Sequence, residues 1–224
     1  MSVVLYIQTA LETAMVGLSR EGVVIASREN PSQKDHAAFL QPAIRDICQE
    51  SGIHLRDISA VTVVNGPGSY TGLRVGLSAA KGICFALNKP LITLSTLEWM
   101  AMAGKDTDVY RLAPMIDARR MEVFTALYDT NGNCITPPFA TILDETLFLT
   151  ALDNGKILFF GGGAAKFKSI QRHSNAVFAA IDPRAEDLAQ ICWNLLQQRV
   201  FSDLSTTSPF YGKAFHSTQK PSIP

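Results

Sequence analysis

Residues 61–87, VTVVNGPGSYTGLRVGLSAAKGICFAL, set a buried strand, a glycine turn and a helix in immediate succession, and few architectures accommodate that unit. Val61 to Asn65 are rich in β-branched side chains, which suit a strand covered on both faces. Gly66-Pro67-Gly68-Ser69 then supplies two residues free to take positive φ, one with φ locked, and a hydroxyl able to cap a helix. From Thr71 onward Leu73, Leu77, Ala80, Cys84 and Leu87 recur at helical spacing. Such a turn aims backbone N–H groups at the space before the helix N-terminus, where anions bind.

The flanking sequence extends this unit into an α/β chain. Residues 3–8 read as a short buried strand, and 12–19 with 22–28 as a hairpin closed by Arg20-Glu21-Gly22. Residues 34–50 carry Ala37, Leu40, Ile44, Ile47 and Cys48 at helical spacing, with Ser32 as N-cap, Gly52 as the stop and a kink expected at Pro42. After the central unit come a strand over 90–94 and a helix over 96–103. Strands separated by helices imply parallel neighbours with right-handed crossovers. Polar residues 104–108 suggest a boundary, giving lobes of 1–104 and 105–224. In the second lobe, strands are expected over 111–116, 122–128, 156–160 and 176–180. Helices are expected over 144–153, 164–171 and 184–199, the last capped from Asp182 with Pro183 at its first position. Pro137-Pro138 reads as an irregular connection, and the Ser/Thr/Pro-rich stretch from Ser202 as extended, partly mobile chain.

Charge and cysteines narrow the function classes. Twenty basic residues balance twenty acidic ones, which argues against a nucleic-acid binder that uses its whole surface. Apolar residues make up 47% against only 18% charged, a balance that calls for extensive burial or an apolar contact surface. The cysteines, Cys48, Cys84, Cys134 and Cys192, form no CxxC pair and read as buried thiols of a reducing cytoplasm. Neither apolar stretch, 1–18 or 75–97, makes a targeting or membrane-spanning segment, so no membrane contact is expected.

Chemistry is weakly marked. Gly66, Gly68, Ser69 and Thr71 follow a strand and open a helix, yet Leu73-Arg74 stands where a Walker A loop has Lys-Ser/Thr, and Thr71 occupies the third glycine of a dinucleotide fingerprint. Gly161, Gly162 and Gly163 form a second strand-to-helix turn that fits no nucleotide motif strictly. For each turn the simpler reading is tight packing of a helix on a sheet. His36, His54, His173 and His216 show no metal-ligand spacing, and Ser69 is not in a G-x-S-x-G elbow, so neither a metal nor a catalytic residue is expected. Along the central helix Gly72, Gly76 and Ala80 recur every four residues and leave a groove. It would admit another helix, or the chain's own sheet or first helix.

The run NGPGSYTGLRVGLSAAKGICFALNKPLITLSTLEWMA resembles the GPGSFTGLRIG, AKGL and STLE segments of the bacterial TsaB (YeaZ) family. His36 with Phe39-Leu40-Gln41-Pro42 is similar to that family's H-S-x-x-L-x-P helix, and Asp117-Ala118-Arg119 and Gly161-Gly162-Gly163 extend the likeness. The resemblance implies a two-lobed actin/Hsp70 ATPase-like, ribonuclease H-like fold with a reduced second lobe. It also implies a cytoplasmic accessory subunit without ATPase or peptidase activity, partnering TsaD, with TsaE as an ATPase, in threonylcarbamoyladenosine modification of tRNAs reading codons that start with A. The first-lobe helices, here with His36, Phe39, Leu40, Gly72, Leu73, Gly76 and Ala80, would form the TsaD contact or, without TsaD, a homodimer. Contact with tRNA would be indirect.

One departure concerns cofactors. Relatives end the first strand on D-T/S-S/T, whereas this chain has Gln8-Thr9-Ala10, and an amide supplies no carboxylate to organise metal-bound water. The two glycine turns therefore read as a vestigial phosphate site, with no cofactor beyond weak nucleotide binding. The competing reading is an ATP-binding enzyme of the sugar-kinase and ATPase superfamily.

Overall fold

Strand β1 (Val3–Gln8) is buried along its whole length, as a Val- and Ile-rich run in mid-sheet must be. The computed structural model describes residues 2–105 and 107–213. In it β1 pairs antiparallel with β2 (Ala14–Arg20), which turns through Glu21 and Gly22, both at positive φ, into β3 (Val23–Asn30). On its other side β1 pairs parallel with β4 (Ala60–Val64), and β4 with β5 (Leu91–Leu94). The order is β3-β2-β1-β4-β5. Helices α1 (His36–Ser51) and α2 (Tyr70–Leu87) make the crossovers and share one face of the sheet through Leu40, Ile44, Ile47, Leu77, Ala80 and Cys84.

The second sheet repeats this plan. Strands β6 (Arg111–Asp117), β7 (Glu122–Tyr128) and β8 (Cys134–Ile142) form an antiparallel meander, and β9 (Ile157–Phe160) and β10 (Ala176–Phe178) add in parallel beyond β6. The order β10-β9-β6-β7-β8 is that of the first sheet, read from the other edge. Its covering helices are short, α4 (Leu149–Asn154) and α5 (Ala164–Ile170), so this lobe is the reduced one.

Between the sheets lies α3 (Thr96–Gly104). Leu97, Met100 and Ala101 pack on the second sheet, while Trp99 joins the core under the first. A helix apolar on all sides is stable only between two layers. The last helix, α6 (Ala185–Gln197), returns to the first lobe: Leu188, Ala189, Ile191 and Cys192 pack with Val4, Tyr6 and Trp99, and Trp99 Nε1 donates to Arg184 O at 3.0 Å. Helix α6, which follows the second sheet in the chain, thus shares with Trp99 of α3 the covering of the first sheet's second face.

Other local expectations also change. Helix α1 runs unbroken through Pro42, since Pro42 and Ala38, whose carbonyl loses its partner, both lie on the exposed face. Pro137 and Pro138 belong to β8, an edge strand, where the register shifts between the pairs Leu127–Thr136 and Thr125–Phe139. A strand edge with an irregular register needs no N–H there. Helix α6 starts at Ala185, after Pro183, and the helix expected over 144–153 is confined to α4, with Asp144 instead closing a turn on Thr146. Cys84 and Cys192 are buried, but Cys48 is half-buried and Cys134, at the start of β8, is exposed.

Glu98 of α3 sits at this junction, where its charge reaches Tyr128 and Cys134 of the second sheet, and burial pushes its carboxyl above the usual range. The folded chain therefore favours the protonated form. Its contribution is complete below the unfolded carboxylate pKa of about 4 and is lost as pH rises through the raised folded value. Glu98→Gln should accordingly raise Tm relative to the parent at pH 8, with the gain shrinking toward pH 4, in paired thermal melts.

Candidate functional site

Ser69 caps α2, its Oγ accepting from Gly72 N at 3.3 Å and its carbonyl from Leu73 N at 2.8 Å. Each glycine before it marks a close approach. Gly66 has φ +113°, and a Cβ there would lie 2.1 Å from Phe210 O; at Gly68 a Cβ would meet Ala10 O at 2.3 Å. The chain itself fills the space in front of the helix. Ser69 N donates to Ala10 O at 2.7 Å, so this anion-seeking group is already engaged.

Gln8 closes the facing loop. Its side chain is buried, with Oε1 accepting from Ala10 N at 2.5 Å and Leu11 N at 3.0 Å while Nε2 donates to Thr13 O at 2.7 Å. The N–H groups that would cradle a phosphate after β1 are bound to the amide that stands in place of an acid. Gly161 and Gly163 are packing glycines too: at Gly161, φ +89°, a Cβ would lie 2.6 Å from Met115 O, and Gly163 N donates to Met115 O at 3.0 Å. Gly162 alone faces open space. Beside this turn Lys166 Nζ donates to Asp117 Oδ1 at 2.5 Å and Arg119 N to the same oxygen at 2.6 Å. Partial burial raises the Asp117 carboxyl, but those two donors outweigh it and hold it below the usual carboxylate range. The cleft of about 360 Å³ beside Gly66 is lined by Asn65, Thr93, Ser95, Pro137 and Phe210 among others, and Gly161–Gly163 do not reach it. Among the described residues no three His, Cys, Asp or Glu side chains are grouped to hold a metal.

The expected contact residues on α2 face inward. A Cβ at Gly72 would lie 1.9 Å from Thr9 O, and one at Gly76 2.3 Å from Thr9 Oγ1 and 3.5 Å from Ile7 and Val63. Leu73 and Ala80 are fully buried, and His36 and Leu40 are buried in α1, His36 Nε2 donating to Glu12 O at 2.9 Å. Only Phe39 of that set is half-exposed. The groove along Gly72, Gly76 and Ala80 is thus corrected: it receives β1 of the same chain, because the helix has to approach the sheet that closely for Ser69 to reach Ala10.

A second small-residue row, Ser78, Gly82 and Ala86, faces outward. With Ala79, Ile83 and Leu87 of α2, Gln41 of α1 and Leu55 after it, it lines a groove of about 410 Å³. Phe85 stands beside it with 84% of its surface exposed, and nothing lies within 4 Å of a Cβ built on Gly82. Both rows have a four-residue period, and the sequence signal that separates them is the unburied aromatic flanking the second.

Two sheets of like order joined by α3, one lobe with long helices and one with short, define a two-lobed α/β protein of the actin/Hsp70 ATPase-like fold. A family model described as TsaD, tRNA N6-adenosine threonylcarbamoyltransferase, matches residues 24–219. The chain is 30% identical over 216 residues to the tRNA threonylcarbamoyladenosine biosynthesis protein TsaB of Escherichia coli (strain K12), covering 93% of each. It is 31% identical over 170 residues to that of Bacillus subtilis (strain 168), covering 75% of this chain and 74% of the relative. A crystal structure from Pseudomonas aeruginosa, described as an uncharacterized protein with similarity to peptidase YEAZ, superposes with a TM-score of 0.83 at 26% identity over 95% of this chain and 100% of that one. The chain belongs to the TsaB (YeaZ) family.

The two glycine rows separate by substitution. Gly82→Ala gains helix propensity and meets nothing, so it should stabilise by up to ~1 kcal/mol. Gly72→Ala overpacks against the Thr9 carbonyl and should destabilise by ~1–3 kcal/mol. Urea unfolding of the two variants beside the parent checks both signs.

Proposed function

We propose that the chain is a non-catalytic scaffold subunit of tRNA threonylcarbamoyladenosine biosynthesis that seats a TsaD-type partner on the outer face of α1 and α2. The observation that carries this reading is the apolar groove along Ser78, Gly82 and Ala86 with Phe85 exposed at its rim. Small residues let a second helix approach closely, and an exposed aromatic beside them supplies the anchor that such contacts depend on. Without TsaD the same face pairs two copies of this chain in the cytoplasm. TsaE joins through the complex, the modified tRNAs read codons that start with A, and tRNA meets this subunit only indirectly. The names of the relatives and the TsaD family match support this assignment.

The subunit works without a bound nucleotide in this reading. What supports it is the Gln8 side chain, which satisfies the N–H groups of its own loop, and Ala10 O, which engages Ser69 N. A ligand phosphate would have to displace those bonds.

Phe85→Asp and Gly82→Trp each place a charge or bulk in the groove without touching the core. Each should weaken capture of TsaD by about 2 kcal/mol, roughly thirtyfold in Kd, with the thermal melt retained. Unchanged copurification of TsaD with both variants would overturn the docking face. Titration calorimetry with ATP and Mg²⁺ should give no binding heat; measurable heat would restore the nucleotide-binding alternative.

A further inference from the structure

Residues 202–213, after α6, run from the first lobe to the second with a contact at nearly every step. Ser202 N donates to Leu91 O at 2.8 Å, and its hydroxyl lies 2.8 Å from that of Thr93, so the segment starts on the edge of β5. Asp203 then closes a turn, its Oδ1 accepting from Ser205 N and Thr206 N at 2.8 Å each. The Ser205 hydroxyl, the leading cause, and these amides hold the Asp203 carboxyl down to about 2. Leu204 packs into the core beneath α1 and α2. Lys81 Nζ of α2 donates to Thr207 O at 3.0 Å, Asn65 Nδ2 to Ser208 O at 2.9 Å, and Phe210 N to Asn65 O at 2.9 Å. Tyr211 stacks at 4.8 Å on Tyr70, and its hydroxyl accepts from Arg74 Nε at 2.9 Å, with the Arg74 guanidinium 4.1 Å above the Tyr70 ring.

The crossing follows. Gly212 has φ +70°, and a Cβ on it would lie 2.8 Å from the Phe124 ring of β7 and 3.3 Å from Pro67 of the glycine turn. The backbone is thus wedged between one residue of each lobe at a point where only glycine fits. Lys213 then pairs with Glu122 at the start of β7.

We propose that residues 202–213 form an interlobe strap that fixes the angle between the two sheets. Helix α3, with α6 and the Trp99–Arg184 bond beside it, joins the lobes along one seam, and two bodies joined along one seam retain freedom to pivot about it. A second attachment on the glycine turn removes that freedom. The strap is fastened to β5, α2 and Asn65 after β4 by the bonds above, and among the described residues its hold on the second lobe is the Gly212–Phe124 contact and the Lys213–Glu122 pair, with Phe210 sharing a cleft with Pro137 and Pro138 of β8, so the crossing is the step that can be released without unfolding either sheet.

Spin labels on Cys134 of the second lobe and on Arg45→Cys of α1, in a Cys48→Ser background, read the lobe spacing in the full chain. Gly212→Val should broaden that distance distribution. It should also speed amide exchange at Phe210 at least about tenfold while α1 and β9 exchange as in the parent. Glu122→Gln leaves the backbone untouched and should broaden the distribution to a smaller degree; it decides the question if Gly212→Val fails to fold. Parent-like distance distributions in every variant that folds would overturn the strap.

Discussion

The carbonyls of Thr9 and Ala10 lie where the side chains of residues 72 and 68 would begin, and the arrangement of the first lobe depends on that contact. A helix can come this close to a strand exit only if its first turns carry no Cβ on the facing side. The approach brings Ser69 N within hydrogen-bonding distance of Ala10 O and Thr9 Oγ1 within 2.7 Å of Gly72 O, to which it donates. With α2 fixed against β1 in this way, its opposite flank has nowhere to go but outward. The exposure of Ser78, Gly82, Phe85 and Ala86 is thus a geometric consequence of the glycines at 72 and 76.

The same closure extends to three loops at the sheet ends, each satisfied from within the chain. After β1 the backbone donors go to Gln8, after β4 Ser69 N goes to Ala10, and after β9 Gly163 N goes to Met115. Buried donors have to be paired somewhere, and the Gln8 amide does this through Oε1 while its Nε2 also donates to Thr13 O, a bond that a carboxylate, having no N–H, could not make. The result is that the loops at the sheet ends are closed by bonds within the chain itself.

The alternation of strand and helix, the glycine turn with its Ser69 cap and the Gly22 and Gly52 turns were legible in the sequence because each rests on local backbone chemistry. What was not legible depends on partners distant in the chain. Gly72 and Gly76 share a four-residue period with Ser78, Gly82 and Ala86, and periodicity alone does not say which row meets the sheet. Pro137 and Pro138 argue against a strand until it is known that β8 lies at an edge. Residues 203–213 have the composition of mobile chain, yet their order comes from Asn65, Arg74 and Lys81, more than a hundred positions earlier. Only Gly212 carried a local hint, and its φ is meaningful only beside Phe124.

The two lobes also show why a reduced second half is tolerable. Its sheet keeps all five strands, but α4 and α5 together offer far less cover than α1 and α2. The opposite face of that sheet, with Leu112, Ile116, Leu158 and Phe160, is covered by Leu97, Met100 and Ala101 of α3, although the helix follows the first sheet. Trp99 on the same helix is claimed by the first core and by α6, so α3 cannot shift toward either sheet without opening the other. A shared helix economises on sequence at the cost of coupling: a cavity made at Met100 would be felt at Trp99, one residue along the same backbone. The junction between lobes is therefore part of both cores, and the lobes cannot be separated into independent domains by cutting near residue 104, since the first sheet would then lose α6 and the second would lose α3.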